Sequence, residues 1–488
     1  METFKGLQPE IVWKYFYDIC QVPRPSKQEE QIIDFLMDFG KSNNLETKKD
    51  EAGNVLISKP ATKGMEGIKS VVLQSHMDMV CEKNSDVDHD FTKDPIVPFI
   101  DGEWVRATGT TLGADCGIGM ATQLAILSAG PDSGIEHGPL ECLFTVDEET
   151  GLTGAFALQP GFLNSTVLLN LDSEDEGEIF IGCAGGIDTL ASFPFKQEPV
   201  PDGYISLKVS VTGLKGGHSG DDIDKGLGNA NKVLTRCLWD ISGITDMRLA
   251  YIDGGNLRNA IAREAFAIIS VSGDQSGEVK NRINALSEII KKELSVTEPG
   301  LILNIGDIDP PAFVIDKVST DKLIRIVYSL PHGVISMHPD IEGLVQTSTN
   351  LASVKIEDNT ISITTSQRSS IDSGKDDIAR MVASVFKLAG VNYEHTDGYP
   401  GWAPDTNSEI LKIAVDSYER LFSVKPVVRA IHAGLECGLF LEKYPGLDMI
   451  SFGPTMRGVH SPDERLNTGT VLKFWDHLID VLKHVPER

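Results

Sequence analysis

Short apolar runs that end on acid or histidine residues constrain this chain most. Val71-Val-Leu73 leads through Gln-Ser to His76-Met-Asp78, and Cys142-Leu-Phe-Thr-Val146 leads to Asp147-Glu148-Glu149. Val167-Leu-Leu-Asn-Leu171 leads to Asp172, and Met449-Ile-Ser-Phe452 to Gly453-Pro454 and then His460. Unbroken apolar runs of this length read as strands covered on both faces, not as half-exposed strands. Helical patterns lie between them. Ser26-Lys-Gln-Glu29 has the form of a capping box, followed by Ile32, Ile33, Phe35, Leu36 and Phe39 at helical spacing. Gly117 to Leu127 and Val471 to Leu482 also read as helices. This alternation predicts an α/β layer, with a central sheet flanked by helices.

The chain has 488 residues, enough for about three domain-sized units. Its middle differs from its ends. Glycine clusters bracket it, Cys183-Ala-Gly-Gly186 in front and Gly398-Tyr-Pro-Gly401 behind. Inside, Asn259 to Ile290 reads as strand, polar turn and helix, and Asn350 to Leu388 repeats that plan. The expectation is a discontinuous domain at 1–186 and 399–488, interrupted at 187–398 by an α+β domain with two related halves.

Several classes drop out. No run of 18 apolar residues occurs, and the N-terminus lacks the basic and apolar regions of a secretory signal, so no membrane span or export is expected. The net charge of −27 repels polyanions, which argues against nucleic acid as a partner. Seven cysteines, odd in number and without a C-x-x-C pair, fit reduced thiols in a cytoplasm.

In α/β sheets, ligands bind beyond the carboxyl ends of the strands. Four such ends carry His76, Glu148 with Glu149, Asp172 and His460, and Asp115 sits in Gly113-Ala-Asp-Cys-Gly117 before a helix. Each alone is commonplace: adjacent acids often open a helix, and an aspartate often caps one. Together, two histidines and three carboxylates can hold two zinc ions that share one carboxylate.

This set resembles the co-catalytic zinc peptidases of the carboxypeptidase G2-like and aminoacylase-like group, most nearly the bacterial aminoacyl-histidine (Xaa-His) dipeptidases. The resemblance extends through His89-Asp-Phe-Thr-Lys-Asp-Pro95, Gly109-Thr-Thr-Leu-Gly-Ala-Asp115 and Gly182-Cys-Ala-Gly-Gly-Ile-Asp188. It implies a zinc-peptidase domain with a mixed central sheet and the 187–398 insertion as a lid. It also implies two Zn2+ per chain, with Co2+ or Mn2+ as substitutes. Asp115 would bridge, His76 and Asp172 would complete one site, and Glu149 and His460 the other. Asp78 would orient His76, and Glu148 would be the general base. The peptide bond after Asp115 is often cis in the family.

For the lid, the resemblance assigns His218 to the scissile carbonyl, and Asn259 and Arg368 to substrate binding. Without it, His218 in Lys215-Gly-Gly-His-Ser-Gly220 reads as a turn residue and Arg368 as a surface cation. Glu436 either faces the substrate amine or is a buried or surface acid. The implied activity is hydrolysis of small dipeptides, Xaa-His and β-alanyl-histidine among them. Rival readings are an N-acyl amino acid deacylase, a two-metal phosphoesterase and a binding protein with a vestigial site. A doubled lid can supply in cis what simpler relatives take from a partner, so a monomer and a homodimer both fit.

Overall fold

Strands that are apolar without a break need cover on both faces, and the chain supplies it. In the structure, a computed structural model describing residues 2–488, the runs form strands Val71–His76, Leu140–Thr145, Val167–Asn170 and Asp448–Ser451. Every residue of the first three is buried. The four strands run parallel, with Leu140–Thr145 outermost, then Val71–His76, Val167–Asn170 and Asp448–Ser451. Antiparallel strands Val55–Lys59 and Glu46–Lys49 extend one side, and Glu178–Cys183 and Val427–Ile431 complete the other. The result is a mixed eight-stranded sheet.

Helix Ala114–Ser128 is buried without interruption from Cys116 to Leu127, which is why its sequence is apolar on every face. It begins three residues before the expected Gly117; Asp115 and Cys116 leave helical geometry, and the peptide bond between them is cis. The last helix, Thr468–His484, buries Val471, Phe474, Leu478 and Val481. No helix among the described residues is long and apolar enough to cross a membrane.

The expected capping box at Ser26 and Glu29 does not form. Helix Glu30–Ser42 starts without a side-chain cap. Ser26 Oγ instead donates to Asp78 Oδ2 at 2.7 Å, and Glu29 Oε1 accepts the N–H groups of Lys27 and Asp147 at 2.8 and 3.0 Å. Asp78 is buried and needs protein donors in place of water, so a distant partner takes the hydroxyl that local spacing assigned to the helix.

The chain divides into two compact units. One runs to Gly182 and resumes at Trp402–Ala430 and Leu435–Arg488; the other is Cys183–Gly401 with Ile431–Gly434. The four residues 431–434 were expected in the outer domain. They go with the second unit because Ala184 N–H donates to the carbonyls of Ile431 and Ala433 at 3.1 and 3.0 Å.

The second unit is built on a nine-stranded sheet with internal symmetry. One half runs Tyr204–Thr212, helix Ala230–Ser242, Arg248–Gly254, Ala265–Ser272, helix Ser276–Glu293 and Ile302–Ile308. The other runs Gly185–Pro194, helix Lys317–Ser329, Val345–Glu357, Thr360–Ser369, helix Asp372–Leu388 and Asn392–His395. In both, the strands stand in the antiparallel order fourth, first, third, second, the ferredoxin-like plan. The halves join through their second strands, at Asp253 opposite Lys355 and Gly254 opposite Val354. They are nested, not tandem, because the first strand of one half precedes the whole of the other. Gly333–Met337 adds the ninth strand, against Val345–Glu357.

Candidate metal centre

The parallel strands end along one edge, and the chemistry collects there. His76 closes its strand, Glu148 and Glu149 begin a short helix just past Leu140–Thr145, and Asp172 lies two residues beyond Val167–Asn170. Asp115 Oδ1 is 3.1 Å from His76 Nε2, and Asp115 Oδ2 is 3.2 Å from His460 Nε2. Asp172 Oδ1 lies 3.3 Å from His76 Nε2, and Glu149 Oε2 lies 2.9 Å from His460 Nε2. The five residues therefore sort into two groups that share Asp115, one carboxylate oxygen facing each.

The donor set suits cations. Ligand atoms around a four-coordinate zinc with bonds of about 2.0–2.2 Å stand roughly 3.3–3.6 Å apart, close to these spacings. Glu149 Oε1 is buried with no hydrogen-bond partner among the described residues, an acceptor left over for a cation. Cys116 Sγ could join His76 and Asp172 around an ion. Burial, then the charge of Asp172, holds that thiol well above its ordinary pKa, and Sγ contacts the Leu171 carbonyl at 3.3 Å. A further acidic cluster, Glu29, Asp78 and Asp147, is a hydrogen-bonding hub: the hydroxyls of Thr150 and Thr153 donate to Asp147.

Electrostatics points the same way. Burial opposes charge on His76, yet Asp172, Asp115 and Asp78 hold its pKa well above the ordinary value. Hydrogen bonds to Asp115 and Glu149 push His460 up to about 11. Burial alone would raise Asp115, but the hydrogen bonds from His460 and His76 hold it far below the usual carboxylate range. Burial and the charge of Asp115 push Asp172 up to about 6, against the pull of His76.

Asp78 holds the ring that leads into this pocket. Its Oδ1 is 3.3 Å from His76 Nδ1, and its carboxylate accepts the N–H groups of Glu148 and Glu149 at 3.0 and 3.3 Å. Burial works to raise Asp78, but His76, Ser26 and the Glu148 N–H bring it down to about 2. Glu148 lies the other way: burial, with Asp172, Glu436 and Glu149 nearby, raises it well above the ordinary value, against His76.

The family model of "Peptidase family M20/M25/M40" matches residues 72–487. The chain belongs to this peptidase family. It is 47% identical over 488 residues to the cytosol non-specific dipeptidase of Escherichia coli (strain K12), covering 100% of both chains. The crystal structure of aminoacylhistidine dipeptidase from Vibrio alginolyticus matches with a TM-score of 0.94 at 45% identity, again over 100% of both chains. Aminopeptidase PepT from Bacillus cereus, at 16% identity and a TM-score of 0.62 over 98% of this chain and 99% of its own, shares the fold.

In this M20 peptidase the remaining candidates fall in different places. Glu436 is buried, the second of its sequence readings, and its Oε2 accepts from Gln74 Nε2 at 2.6 Å and Thr145 Oγ1 at 2.9 Å. Burial pushes its carboxyl up to about 8. In the second unit, His218 Nδ1 accepts the N–H groups of Gly220 and Asp221 at 3.3 and 3.2 Å. A neutral ring accepting at Nδ1 carries its proton on Nε2. The structure brings Asn259 beside it: Ser219 N–H donates to the Asn259 carbonyl at 2.8 Å, and His218 pairs with Ala260. Asn259 itself is exposed. Arg368 is not the surface cation that its type alone suggests. It is buried, Nη1 donates to the Tyr399 hydroxyl at 3.1 Å, and Nε has no partner among the described residues.

Neither Ser26, which reads as a helix cap, nor His432, which opens the same His-Ala-Gly-Leu-Glu run as Glu436, stands out in the sequence as a site residue. His432 is buried with Nε2 2.7 Å from Ser348 Oγ. Its place two residues before Gly434 was the only signal available.

Proposed function

We propose that this M20 peptidase is a two-metal dipeptidase acting on Xaa-His and related dipeptides, with two Zn2+ as its resident ions and Co2+ or Mn2+ able to replace them. The observation that carries this reading is the carboxylate of Asp115, which turns one oxygen to His76 and the other to His460. His76 and Asp172 would complete one ion's shell, and Glu149 and His460 the other's. Bound there, the ions would acidify a water and polarise the scissile carbonyl.

The chain's own residues do the rest. Glu148 takes a proton from the attacking water and returns it to the leaving amine nitrogen. Its raised pKa, set by burial and acidic neighbours, is lowered by any cation placed beside it, which frees the carboxylate to act as a base. Asp78 keeps the His76 ring in one orientation. His218, with its proton on Nε2, is a donor suited to a developing oxyanion. Arg368 is the candidate for the substrate carboxylate and Asn259 for its backbone, with the second unit acting as a lid. The relatives' names, one a non-specific dipeptidase and one an aminoacylhistidine dipeptidase, support small dipeptides as the substrate class. The cytosolic name of the E. coli relative and the absence of disulfides among the described residues support a cytoplasmic enzyme. The acidic charge supports a partner list without nucleic acid.

Hydrolysis of a dipeptide panel that includes β-alanyl-histidine, an acetyl amino acid and a phosphoester tests this, with metal content measured in parallel. Dipeptide turnover that a chelator abolishes and zinc restores is expected. Preference for the acetyl amino acid would make the chain a deacylase, and full activity in metal-free protein would overturn the two-metal reading.

A further inference from the structure

Gly113 is gripped from both sides. Its N–H donates to Glu464 Oε2 at 2.9 Å, and its carbonyl accepts from Arg24 Nη2. Glu464 also accepts the N–H groups of Leu112 at 2.7 Å, Ala114 at 2.7 Å and Asp115 at 3.4 Å. Arg24 Nη1 donates to the carbonyls of Met77 at 3.0 Å and Asp78 at 2.6 Å. Arg24 is 3% exposed and Glu464 2%.

These bonds tie together two loops that the sequence leaves independent. One carries His76 and Asp78, the other Asp115. Local structure fixes neither loop's distance from the other. The planar guanidinium reaches both at once, one nitrogen to each, which the single ammonium of a lysine does less well. The carboxylate gathers four consecutive N–H groups at the start of helix Ala114–Ser128, groups that a helix leaves unpaired. Charge-assisted bonds of this kind are stronger than neutral ones. Small residues make the space: a Cβ on Gly113 would lie 2.5 Å from Arg24 Nη2, and one on Gly117 2.8 Å from the same atom.

We propose that Arg24 and Glu464 are positioning residues, a paired backbone clamp that sets the separation of His76 and Asp115 and so the geometry of the ion site that these two residues share. The inference rests on the metal-centre reading above. Outer partners of metal ligands typically contribute about 10–100-fold to metal affinity or activity.

The test uses the full chain with Arg24→Lys and Glu464→Gln, each titrated with Co2+ and followed by the metal's absorption spectrum and by thermal unfolding. Metal affinity should fall about tenfold or more, the spectrum should change, and kcat should fall while KM for the dipeptide stays within about twofold. The double variant should lose less than the product of the two single losses, because both residues hold the same peptide unit. Should Arg24→Lys not fold, Gly117→Ala, which crowds the guanidinium and leaves both clamp residues in place, takes its part. Wild-type affinity and spectrum in folded variants, with only the melting temperature lowered, would overturn the clamp. A wild-type protein that binds no metal would instead sink the metal-centre reading itself.

Discussion

Asp78 Oδ1 accepts the backbone N–H of Glu148 at 3.0 Å, so the acid that faces His76 Nδ1 also holds the residue proposed as the base. One carboxylate thus orients the proposed metal ligand and anchors the turn that carries the proposed proton acceptor. Asp78→Asn keeps the shape but replaces an acceptor with a donor that faces other donors. Metal affinity should fall about 10–100-fold and kcat should fall with it. Equilibrium titration with zinc measures the first; unchanged affinity would reduce Asp78 to a structural role.

Glu148 and Glu149 are neighbours with different surroundings, and substitution separates them. Glu148→Gln should lower kcat on the order of a hundredfold or more while both ions stay bound. Glu149→Gln should instead weaken the ion that it shares with His460. Metal stoichiometry and kcat measured on both variants decide this. Loss of metal from the Glu148 variant, with both ions kept in the Glu149 variant, would reverse the two assignments.

Arg368 is buried, and its Nε has no partner among the described residues, as in a residue awaiting an anion. A dipeptide amide offers no charge and would leave the guanidinium unpaired, costing about 1.5–3 kcal/mol. The wild type should therefore prefer a free carboxylate by roughly 10–100-fold in kcat/KM, and Arg368→Ala should lose most of that preference. Equal discrimination in both proteins would move carboxylate recognition to another group.

Three histidines, His432 and His477 buried and His332 half-buried, should make the fold sensitive to mild acid. Burial lowers His332, His432 and His477 to about 4 each. Their pKa values in the folded chain lie below the ordinary 6.5, so their full contribution is present above pH 6.5. It is lost as pH falls toward 4, where the unfolded chain takes up protons that the folded one refuses. At roughly 1.4 kcal/mol per pKa unit, each costs about 2 kcal/mol between pH 7.5 and 5. His477 Nε2 lies 2.8 Å from the Ala414 carbonyl, a bond that glutamine can keep. Denaturant unfolding at several pH values should show a shallower acid slope in His477→Gln. An unchanged slope would assign the acid sensitivity elsewhere.

Local chemistry determined much of this protein. The four apolar runs became the parallel strands because unbroken apolar stretches admit no exposed face, and their last residues had to meet at one edge. The ligand-like character of His76, Asp115, Glu149, Asp172 and His460 was visible for the same reason. The halves of the second unit were visible only as fragments, because one half is nested inside the other and no fixed period survives in the chain. Partner choice was decided in three dimensions. Ser26 reads as a helix cap, yet a buried carboxylate 52 residues away takes its hydroxyl. Arg368 reads as a surface cation until packing encloses it. Arg24 and Glu464 carry no motif, since they recognise backbone groups that every residue has. Sequence records which groups a chain possesses; burial decides which of them must find one another, because only in the absence of water does an unmet charge or hydrogen bond become costly.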